Sequence, residues 1–246
     1  MSRTLFISDL HLAAVRPQAT AAFFAFLEHE AARCAALFIL GDLFEYWIGD
    51  DDLGDPFNAS VAQALARAVA RGVKVSVMHG NRDFLIGSEF CRVAGATLLE
   101  DPHAVDLRGR RAILMHGDTL CTDDHDYQNW RRTARSPAWQ RDFLSASLGE
   151  RRERIVALRA KSKEVIQVKP AEIMDVNEDA VRSALRKHGS DLLIHGHTHR
   201  PARHKLNVDG NACERWVLPE WYGPGGYLVA DAAGLRLQSL PVQSRT

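Results

Sequence analysis

Short apolar runs rich in β-branched residues recur along the chain and are separated by polar stretches. They occupy residues 5–7, 37–40, 73–78, 112–115 and 192–194. Apolar runs of this length, bounded by turn residues, are typical of buried strands. Between the first three lie segments 20–36 and 60–71, in which apolar residues recur every three or four positions, as on one face of a helix. This alternation predicts an α/β fold with parallel strand pairing.

The C-terminal part of the chain has a different pattern, in which apolar and polar residues alternate. The alternating segments are residues 203–208, 215–218, 227–230 and 235–240. They are separated by turn signals such as Asp209-Gly210 and Gly225-Gly226. We therefore predict that the chain finishes in antiparallel strands.

Residues 123–188 interrupt the alternation of strands and helices. Large apolar residues recur there at spacings of three and four, with arginines between them: Trp130, Trp139, Phe143, Leu144, Leu148, Ile155 and Leu158. This pattern predicts several amphipathic helices. We expect a core formed by residues 1–122 and 189–246, with residues 123–188 inserted as a helical cap over the end of the sheet.

Composition adds limits but no specific function. The chain has 246 residues, of which 46% are hydrophobic and 25% charged, as in soluble globular proteins. This length allows one substantial core, with or without an inserted cap. Basic and acidic residues balance at 31 each, so overall charge indicates no particular partner, and we expect none among nucleic acids.

The charge is unevenly distributed along the chain. Residues 1–130 contain 11 basic and 18 acidic residues, whereas residues 131–187 contain 14 basic and 8 acidic residues. An acidic body suggests a cation site, and a basic segment suggests an anionic partner or a membrane surface. The alternative for the basic segment is a solvated helical face.

The cysteines and the absence of long apolar runs bear on the compartment. Four cysteines, Cys34, Cys91, Cys121 and Cys213, lack CxxC spacing, which favours reduced thiols in the cytoplasm. The N-terminus has no signal-peptide pattern, and no apolar run reaches the roughly 20 residues that span a bilayer. Any membrane contact is therefore expected to be peripheral.

The run "DLLIHGHTHRP" at residues 191–201 places three histidines at alternate positions. If the strand continued, His195, His197 and His199 would share one face. Gly196 suggests instead that the backbone bends after His195, which would place the other two on a loop. Either arrangement permits a metal site, and neither requires one.

Ligand-type residues follow each of the five apolar runs. They are Asp9 and His11, then Asp42, Asn81, His116, and finally His197 and His199. A single such residue is usually a turn residue or a helix cap. Here all five strand ends carry such residues, at the sheet edge where α/β proteins place their sites. This repetition predicts a metal centre.

These residues resemble the signature of the calcineurin-like metallophosphoesterases, which runs DxH, GDxxxx, GN[HR][DE], H and GHxH. The resemblance implies an α/β/β/α sandwich with two metal ions. It assigns Asp9, His11 and His199 to one ion, Asn81, His116 and His197 to the second, and Asp42 to a bridge between them. Mixed carboxylate, imidazole and amide ligands suit Mn²⁺ and similar divalent ions, and we expect Mn²⁺. Such a pair generates hydroxide near neutral pH and clamps the oxygens at phosphorus, with Asp42, Asn81, Arg82 and His116 as the catalytic group.

Arg82 departs from the histidine that many members of this family carry. Arginine cannot donate a proton near neutral pH, but its planar guanidinium binds phosphate well. A site without that acid favours a leaving group that is already a phosphate, as in a pyrophosphate bond. The alternative is that Arg82 only pairs with Asp83.

Three longer stretches resemble a narrower family, the UDP-2,3-diacylglucosamine pyrophosphohydrolases of lipid A biosynthesis. They are "GDLFEYWIGDD" at 41–51, "GNRDFLIG" at 80–87 and "MHGDTLCTDDHDYQ" at 115–128. The resemblance implies cleavage of UDP-2,3-diacylglucosamine to UMP and 2,3-diacylglucosamine 1-phosphate, at the cytoplasmic face of the inner membrane. It implies substrate contacts by Asn81, Arg82, Asp124, Ser162, Lys169 and His197. Ile166 departs from the polar residue expected in some relatives.

The cap then has a physical role, because acyl chains need an apolar chamber. Candidate lining residues are Trp130, Trp139, Phe143, Leu144 and Leu148, although the same residues would also serve to pack the helices of the cap. The basic residues of the cap could contact phosphates or an anionic membrane face.

Other polar residues are assigned supporting or surface positions. His79 and His195 are expected to make hydrogen bonds next to the site, and Glu45 and Asp83 to orient a histidine or arginine. Surface positions are expected for His29, His103, His188 and His204. The acidic run of residues 50–52 is expected to be a solvated loop.

Two other functions are compatible with parts of the pattern. One is a generic phosphoesterase acting on phosphoproteins or cyclic nucleotides, against which Arg82 and the apolar cap both count. The other is a non-catalytic binding scaffold, which would be expected to lack ligands, whereas all seven ligand positions are filled.

Overall fold

The computed structural model describes residues 3–169 and 173–240, without the side chains of residues 163 and 165–168, so the expectation for Ile166 lies outside it. The strands are β1 (Thr4–Ile7), β2 (Ala36–Leu40), β3 (Lys74–Met78), β4 (Thr97–Leu99), β5 (His103–Leu107), β6 (Arg110–Met115), β7 (Leu192–His195), β8 (Ala202–Val208), β9 (Asn211–Val217), β10 (Gly226–Asp231) and β11 (Gly234–Ser239). The helices are α1 (Pro17–His29), α2 (Pro56–Ala70), α3 (Ser88–Ala94), α4 (His125–Ala134), α5 (Pro137–Ser145), α6 (Leu148–Val168) and α7 (Glu178–His188).

The strands form two mixed sheets. The first has six strands in the order β11-β10-β1-β2-β3-β4, with β1 to β4 parallel and β10 and β11 antiparallel to their neighbours. The second has five strands in the order β5-β6-β7-β9-β8, with β6, β7 and β9 parallel. The five predicted apolar strands correspond to β1, β2, β3, β6 and β7, and they are divided between the two sheets.

Two predicted elements differ in detail from the structure. The helix expected over residues 20–36 ends at His29, because Ala36 already pairs with Thr4 in the parallel ladder of β1 and β2. The expected antiparallel finish is correct for the hairpins β8–β9 and β10–β11, but these belong to different sheets, and β9 runs parallel to β7. Alternation identifies which face of a strand is apolar, but not which strand is its neighbour.

Alternate side chains of the strands build the layers of the molecule. Phe6, Leu40 and Met78 of the first sheet belong to one buried cluster with Leu114 and Ile194 of the second. Because successive side chains point to opposite faces of a strand, their neighbours face outward. The first sheet thereby packs against α1, α2 and α3, and the second sheet packs against α7. The result is the expected α/β/β/α sandwich.

The helices α4, α5 and α6 lie across the loops that follow the core strands. Arg135, just after α4, donates to the carbonyl of Gly80 at 2.8 Å, and Arg151 of α6 donates to that of Ile48 at 2.6 Å. The predicted boundary of the cap at residues 123–188 remains a prediction, and α7 within it packs on the second sheet. Among the described helices, none is long and apolar enough to cross a bilayer.

The acidic run at residues 50–52 was expected to be a solvated loop, and this expectation is wrong. Asp50 accepts hydrogen bonds from the backbone amides of Glu89 and Phe90, each at 2.9 Å, at the start of α3. Asp51 and Asp52 form ion pairs with arginines of α6. The run links the core to the cap, because its carboxylates contact amide and guanidinium donors, although Asp51 remains exposed.

Candidate metal centre and substrate cavity

The seven candidate ligands lie in the loops that follow β1, β2, β3, β6 and β7. Five of them have a left-handed backbone, with φ between 49° and 68°: Asp9, His11, Asp42, His197 and His199. Residues other than glycine rarely adopt this conformation, which costs about 1–3 kcal/mol each and is concentrated at functional sites. Because β7 ends at His195, His197 and His199 lie on the following loop.

The first group of ligands consists of Asp9, His11 and His199, whose donor atoms lie within 4.8 Å of one another. His199 Nε2 lies 3.3 Å from Asp9 Oδ1 and 3.4 Å from His11 Nε2. Asp9 Oδ2 accepts hydrogen bonds from Ser8 Oγ at 2.6 Å and from the amide of His197 at 2.8 Å. Asp9 Oδ1 is buried and accepts no hydrogen bond from any described residue, which leaves it for a cation.

The second group converges on Asn81. Asn81 Oδ1 lies 3.0 Å from His116 Nε2 and 3.1 Å from His197 Nδ1. His116 Nδ1 lies 2.9 Å from the carbonyl of Leu40, and only a protonated Nδ1 satisfies this contact. The Nε2 atom of His116 therefore faces Asn81 and is the nitrogen available to a cation.

Asp42 faces both groups. Its Oδ2 lies 3.8 Å from His11 Nε2, and its Oδ1 lies 3.8 Å from His116 Nε2. Asp9, Asp42 and His116 also bring donor atoms within 4.8 Å of one another. This position is the one that a bridging carboxylate requires.

Two glycines allow the ligand loops to approach this closely. A Cβ atom on Gly80 would lie 2.0 Å from Asp42 Oδ1, and one on Gly196 would lie 2.0 Å from Ser8 Oγ. Any side chain at these positions would displace a candidate ligand or the group that holds it.

The electrostatics of the site favour positive charge at its centre. Burial lowers the pKa of His116, but Asp42, Asp118 and Asp9 raise it further, to about 9. Burial raises the pKa of Asp9, but His199, His116 and His11 bring it well below its usual range. Burial lowers the pKa of His197 to about 4, so this ring is neutral near pH 7. Buried carboxylates beside imidazole and amide donors fit divalent cations.

The supporting histidines occupy their predicted roles. His195 Nδ1 lies 2.8 Å from the carbonyl of Gly196, and its Nε2 lies 3.2 Å from the guanidinium of Arg215. Burial and Arg215 lower the pKa of His195 to about 3, so the ring stays neutral. His79 Nε2 lies 2.7 Å from the carbonyl of Ile86. Both rings are engaged within the protein.

Glu45 lies beside a histidine, as expected, whereas Asp83 contacts backbone amides and no histidine or arginine side chain among the described residues. Glu45 Oε2 lies 3.3 Å from His11 Nδ1. Asp83 is buried and accepts from the backbone amides of Leu43 at 2.7 Å and Gly80 at 2.8 Å. Asp83 therefore holds together the loops that follow β2 and β3 by accepting hydrogen bonds from their backbone amides.

Of the histidines expected at the surface, His29 and His204 are exposed, whereas His103 and His188 are half-buried.

Arg82 points to the site and not to Asp83. Its Nε lies 3.9 Å from Asp42 Oδ2, and its backbone amide donates to Asp42 Oδ1 at 2.8 Å. The Nε–H is buried without a hydrogen-bond acceptor among the described residues. A buried guanidinium N–H without an acceptor suits an anionic ligand.

A cavity of about 720 Å³ joins the metal centre to the cap. Its lining includes all six residues predicted to contact substrate: Asn81, Arg82, Asp124, Ser162, Lys169 and His197. Lys169 Nζ lies 2.5 Å and 2.7 Å from the two carboxylate oxygens of Asp124, so these two residues form an ion pair. Asp124 also caps α4 by accepting from the amide of Tyr127 at 3.0 Å.

The five apolar residues expected to line the chamber occupy different positions. Trp130 and Trp139 line the cavity. Phe143 stacks on Trp139 with ring centroids 4.9 Å apart and lines a smaller pocket of about 420 Å³. Leu144 is exposed, and Leu148 packs against the core. Ile155 and Leu158 of α6 complete the apolar wall with Phe84 of the core.

The sequence analysis did not predict two residues, Tyr222 and Arg16, that lie near the candidate metal centre. Tyr222, in the loop between β9 and β10, stacks on the ring of His11 at a centroid distance of 4.9 Å. Arg16, just before α1, lies over the ring of Tyr222 at 4.2 Å. Neither belongs to a motif or a periodic pattern, so the sequence offers no signal for them.

Comparisons with known proteins identify the family of the chain. A family model described as calcineurin-like phosphoesterase matches residues 2–201. Three similar bacterial proteins are named UDP-2,3-diacylglucosamine hydrolase. The one from Aromatoleum aromaticum is 51% identical over 94% of both chains, and the one from Cellvibrio japonicus is 50% identical over 96% of this chain and 98% of its own. The one from Pseudomonas aeruginosa is 48% identical over 97% of this chain and 99% of its own. The chain therefore belongs to the calcineurin-like phosphoesterase family, within which it groups with these hydrolases.

Proposed function

We propose that this chain hydrolyses the pyrophosphate bond of UDP-2,3-diacylglucosamine and releases UMP and 2,3-diacylglucosamine 1-phosphate. The observation that carries the proposal is a single cavity in which metal-ligating side chains meet cationic groups and an aromatic wall. Relatives that carry the corresponding name are 48–51% identical to this chain. A non-catalytic scaffold is disfavoured, since all seven candidate ligand positions carry ligating side chains.

The proposed metal centre would hold two divalent cations, and we propose Mn²⁺ because it is compatible with a mixture of carboxylate, imidazole and amide ligands. Asp9, His11 and His199 would hold the first cation, Asn81, His116 and His197 would hold the second, and Asp42 would contribute to both. When bound, such cations activate water and neutralise charge at the phosphoryl oxygens. The chain itself holds the donor atoms in place, as the Leu40 carbonyl does for His116 and Ser8 does for Asp9.

Arg82 supports a pyrophosphate rather than an alkyl phosphate as the bond that is cleaved. We assign its guanidinium to the pyrophosphate oxygens, since its buried Nε–H lacks an acceptor among the described residues. Water would attack the phosphorus that bears uridine, and the acylated sugar phosphate would leave. A phosphate leaving group needs no proton at neutral pH, which agrees with an arginine at this position.

The cap supplies the remaining contacts in this proposal. Ser162 and the ion pair of Asp124 with Lys169 line the cavity and offer hydrogen bonds to the acylated sugar and its phosphate. The apolar wall around Trp130 and Trp139 would bury acyl chains, each methylene contributing about 0.8 kcal/mol.

We further propose that the protein acts at the cytoplasmic face of the inner membrane as a peripheral protein. A substrate with two acyl chains resides in a bilayer, so the enzyme must meet it there. All four cysteines are free thiols, which supports a reducing compartment. On the cap, Arg132 and Arg141 are exposed, and such residues could contact anionic lipids. Co-sedimentation with anionic vesicles, but not with neutral ones, would test this placement.

The activity is tested by comparing three substrates with Mn²⁺ present. UDP-2,3-diacylglucosamine should be turned over far faster than p-nitrophenyl phosphate or bis-p-nitrophenyl phosphate. Comparable rates on all three would favour the alternative of a generic phosphoesterase.

The direction of attack is tested by hydrolysis in ¹⁸O-labelled water. We expect the label in UMP and none in the sugar phosphate, because the oxygen of the attacking water stays on the phosphorus that bears uridine. Label in the sugar phosphate would contradict the assigned geometry while leaving the overall reaction intact.

A further inference from the structure

Tyr222 lies in the loop between β9 and β10 and contacts two of the proposed metal ligands, His11 and His199. Its ring centroid lies 4.9 Å from that of His11, with an interplanar angle of 27°, and 5.7 Å from that of His199. Its hydroxyl donates to Glu45 Oε2 at 3.3 Å, and the same oxygen lies 3.3 Å from His11 Nδ1. Tyr222 therefore contacts His11 directly and also holds the carboxylate that faces its outer nitrogen.

Arg16 fixes the loop of Tyr222 to the loop of His11. Its guanidinium lies 4.2 Å from the ring centroid of Tyr222. It also donates to the carbonyls of Leu10 at 3.1 Å, His11 at 2.7 Å and Trp221 at 2.9 Å. One cation thus ties together two loops that are far apart in the sequence.

These contacts matter because the two histidines have an unfavourable backbone conformation. His11 and His199 have φ values of 49° and 54°, and their Nε2 atoms lie 3.4 Å apart. Such a conformation persists only where the surroundings enforce it. Packing by Tyr222 limits rotation of both rings, so their nitrogens stay near Asp9 Oδ1.

The second group of ligands has different supports. The Leu40 carbonyl fixes His116, and the ring of Tyr127 of α4 lies 5.9 Å from that of His197. The ring and hydrogen-bond contacts of Tyr222 within the described residues are with His11, His199, Arg16 and Glu45.

We infer that Tyr222, held by Arg16, is a positioning residue for the metal group formed by Asp9, His11 and His199 and not for the group that converges on Asn81. The inference rests on the proposed assignment of ligands to two cations. It adds a residue whose function is to set the affinity of one cation independently of the other.

The test is a titration of metal-stripped protein with Mn²⁺, in which electron paramagnetic resonance reports the free ion. The wild type should bind two ions. Tyr222→Leu should weaken one of them by about 10–100-fold, as for other groups that orient metal ligands, and leave the other unchanged. Tyr222→Phe, which keeps the ring but loses the bond to Glu45, should have a smaller effect on the same ion. Arg16→Lys should also weaken that ion.

Tyr227→Phe is the matched control. Its hydroxyl bonds Glu30 at 2.8 Å, in a cluster with Arg3 outside the metal centre. Loss of this hydroxyl should leave both Mn²⁺ affinities unchanged.

The affected ion is identified in two backgrounds that each keep one site. With His116→Ala, the remaining ion should respond to Tyr222→Leu, and with His199→Ala it should not. Thermal unfolding in EDTA should be the same for wild type and Tyr222→Leu, since this side chain is half-exposed. If Tyr222→Leu unfolds at a lower temperature than the wild type, the Mn²⁺ affinities of Tyr222→Phe and Arg16→Lys are compared with those of the wild type instead.

The outcomes are separable. Failure of the wild type to bind Mn²⁺ would overturn the proposed metal centre itself. Two ions bound with unchanged affinity in Tyr222→Leu, or two ions weakened equally, would overturn the inference alone. A raised KM with unaltered Mn²⁺ affinities would also overturn it, because Tyr222 would then be a substrate contact.

Discussion

Arg82 occupies the position at which many metallophosphoesterases carry a histidine, and its surroundings favour phosphate binding over proton transfer. It lies beside Asp42 and lines the cavity, and its buried Nε–H lacks an acceptor among the described residues. Because Arg82 forms no ion pair with Asp83, its guanidinium can bind an anion without first losing that partner.

Arg82→Ala should therefore keep its metal ions but lose catalytic efficiency. Charge-assisted hydrogen bonds contribute about 1.5–3 kcal/mol, which corresponds to roughly 10–150-fold in kcat/KM. Arg82→Lys should recover only part of this loss, because an ammonium cannot reproduce the two-pronged contact. Steady-state kinetics and metal analysis check both variants, and wild-type kinetics in the alanine variant would contradict the assignment.

The cysteines are placed to be unreactive. Burial raises the pKa of Cys34 and Cys91 to about 11 and that of Cys121 to about 12. Since the thiolate is the reactive form, these thiols should resist iodoacetamide at pH 8 in the native protein. Mass spectrometry should show labelling of all four cysteines only after unfolding in urea. Rapid native labelling of Cys121 would show that the cavity exposes it.

Among single residues, the sequence predicts those that follow buried strands and misses those that act across loops. Asp9, Asn81 and His116 are predictable because strand ends of a parallel arrangement meet at one edge. Tyr222 and Arg16 are not, because their contacts join distant segments and leave no local pattern. Asp83 was assigned the wrong partner, since bonds to backbone amides are invisible in a sequence.

The helix α6 shows how residues of one type on one element differ in their surroundings. Arg151 is 3% exposed and donates to the carbonyls of Ile48 and Ala146 as well as to Asp51. Arg154, one turn further along the same helix, is half-exposed and lies 3.6 Å from Asp142.

Arg151→Ala should destabilise the protein, whereas Arg154→Ala should have little effect. The first change leaves buried carbonyls without donors, at a cost of about 1–3 kcal/mol. The second removes a surface ion pair that contributes about 0–1 kcal/mol. Urea unfolding of the two variants tests the difference, and equal midpoints would mean that Arg151 does not anchor the cap.

The sequence predicts the positions of the strands better than it predicts which strands pair with each other. The alternation of β8, β9, β10 and β11 correctly indicated an antiparallel finish, but the sheet that each hairpin joins depends on long-range pairing. The starts of α1 and α2 were also missed, although Pro17 and Pro56 occupy their first turns, where proline is favoured.

Many of the unevenly distributed charges of the chain form ion pairs within the molecule. Basic residues of the predicted cap pair with acidic residues of the core, including Arg151 with Asp51, Arg152 with Asp52, Arg159 with Glu45 and Arg131 with Asp118. The sequence suggested an external anionic partner for the same residues. A charge count cannot distinguish the two, because it does not reveal which surfaces face each other.

Removal of metal should lower the stability of the entire chain. A ligand that binds only the folded state contributes about 2.7 kcal/mol at 100 times its dissociation constant. We expect a lower unfolding temperature in EDTA than in excess MnCl₂, and a much smaller difference in Asp42→Ala, which lacks the shared carboxylate. Identical unfolding temperatures with and without the ion would contradict a metal centre at this site.

The ligands come from both layers of strands, and this division has a mechanical consequence. Asp9, His11, Asp42 and Asn81 follow strands of the first sheet, whereas His116, His197 and His199 follow strands of the second. Ions held between these candidate ligands would join the two sheets at this end of the sandwich. Without the ions, the two sheets should move apart more often at this end, whereas the apolar cluster between them should stay packed. Amide hydrogen exchange should then quicken on chelation at the carboxyl ends of β2 and β7 and stay unchanged at their amino ends. The metal supply of the cell would thus govern how far the two halves of the molecule move as one body, as well as how fast it works.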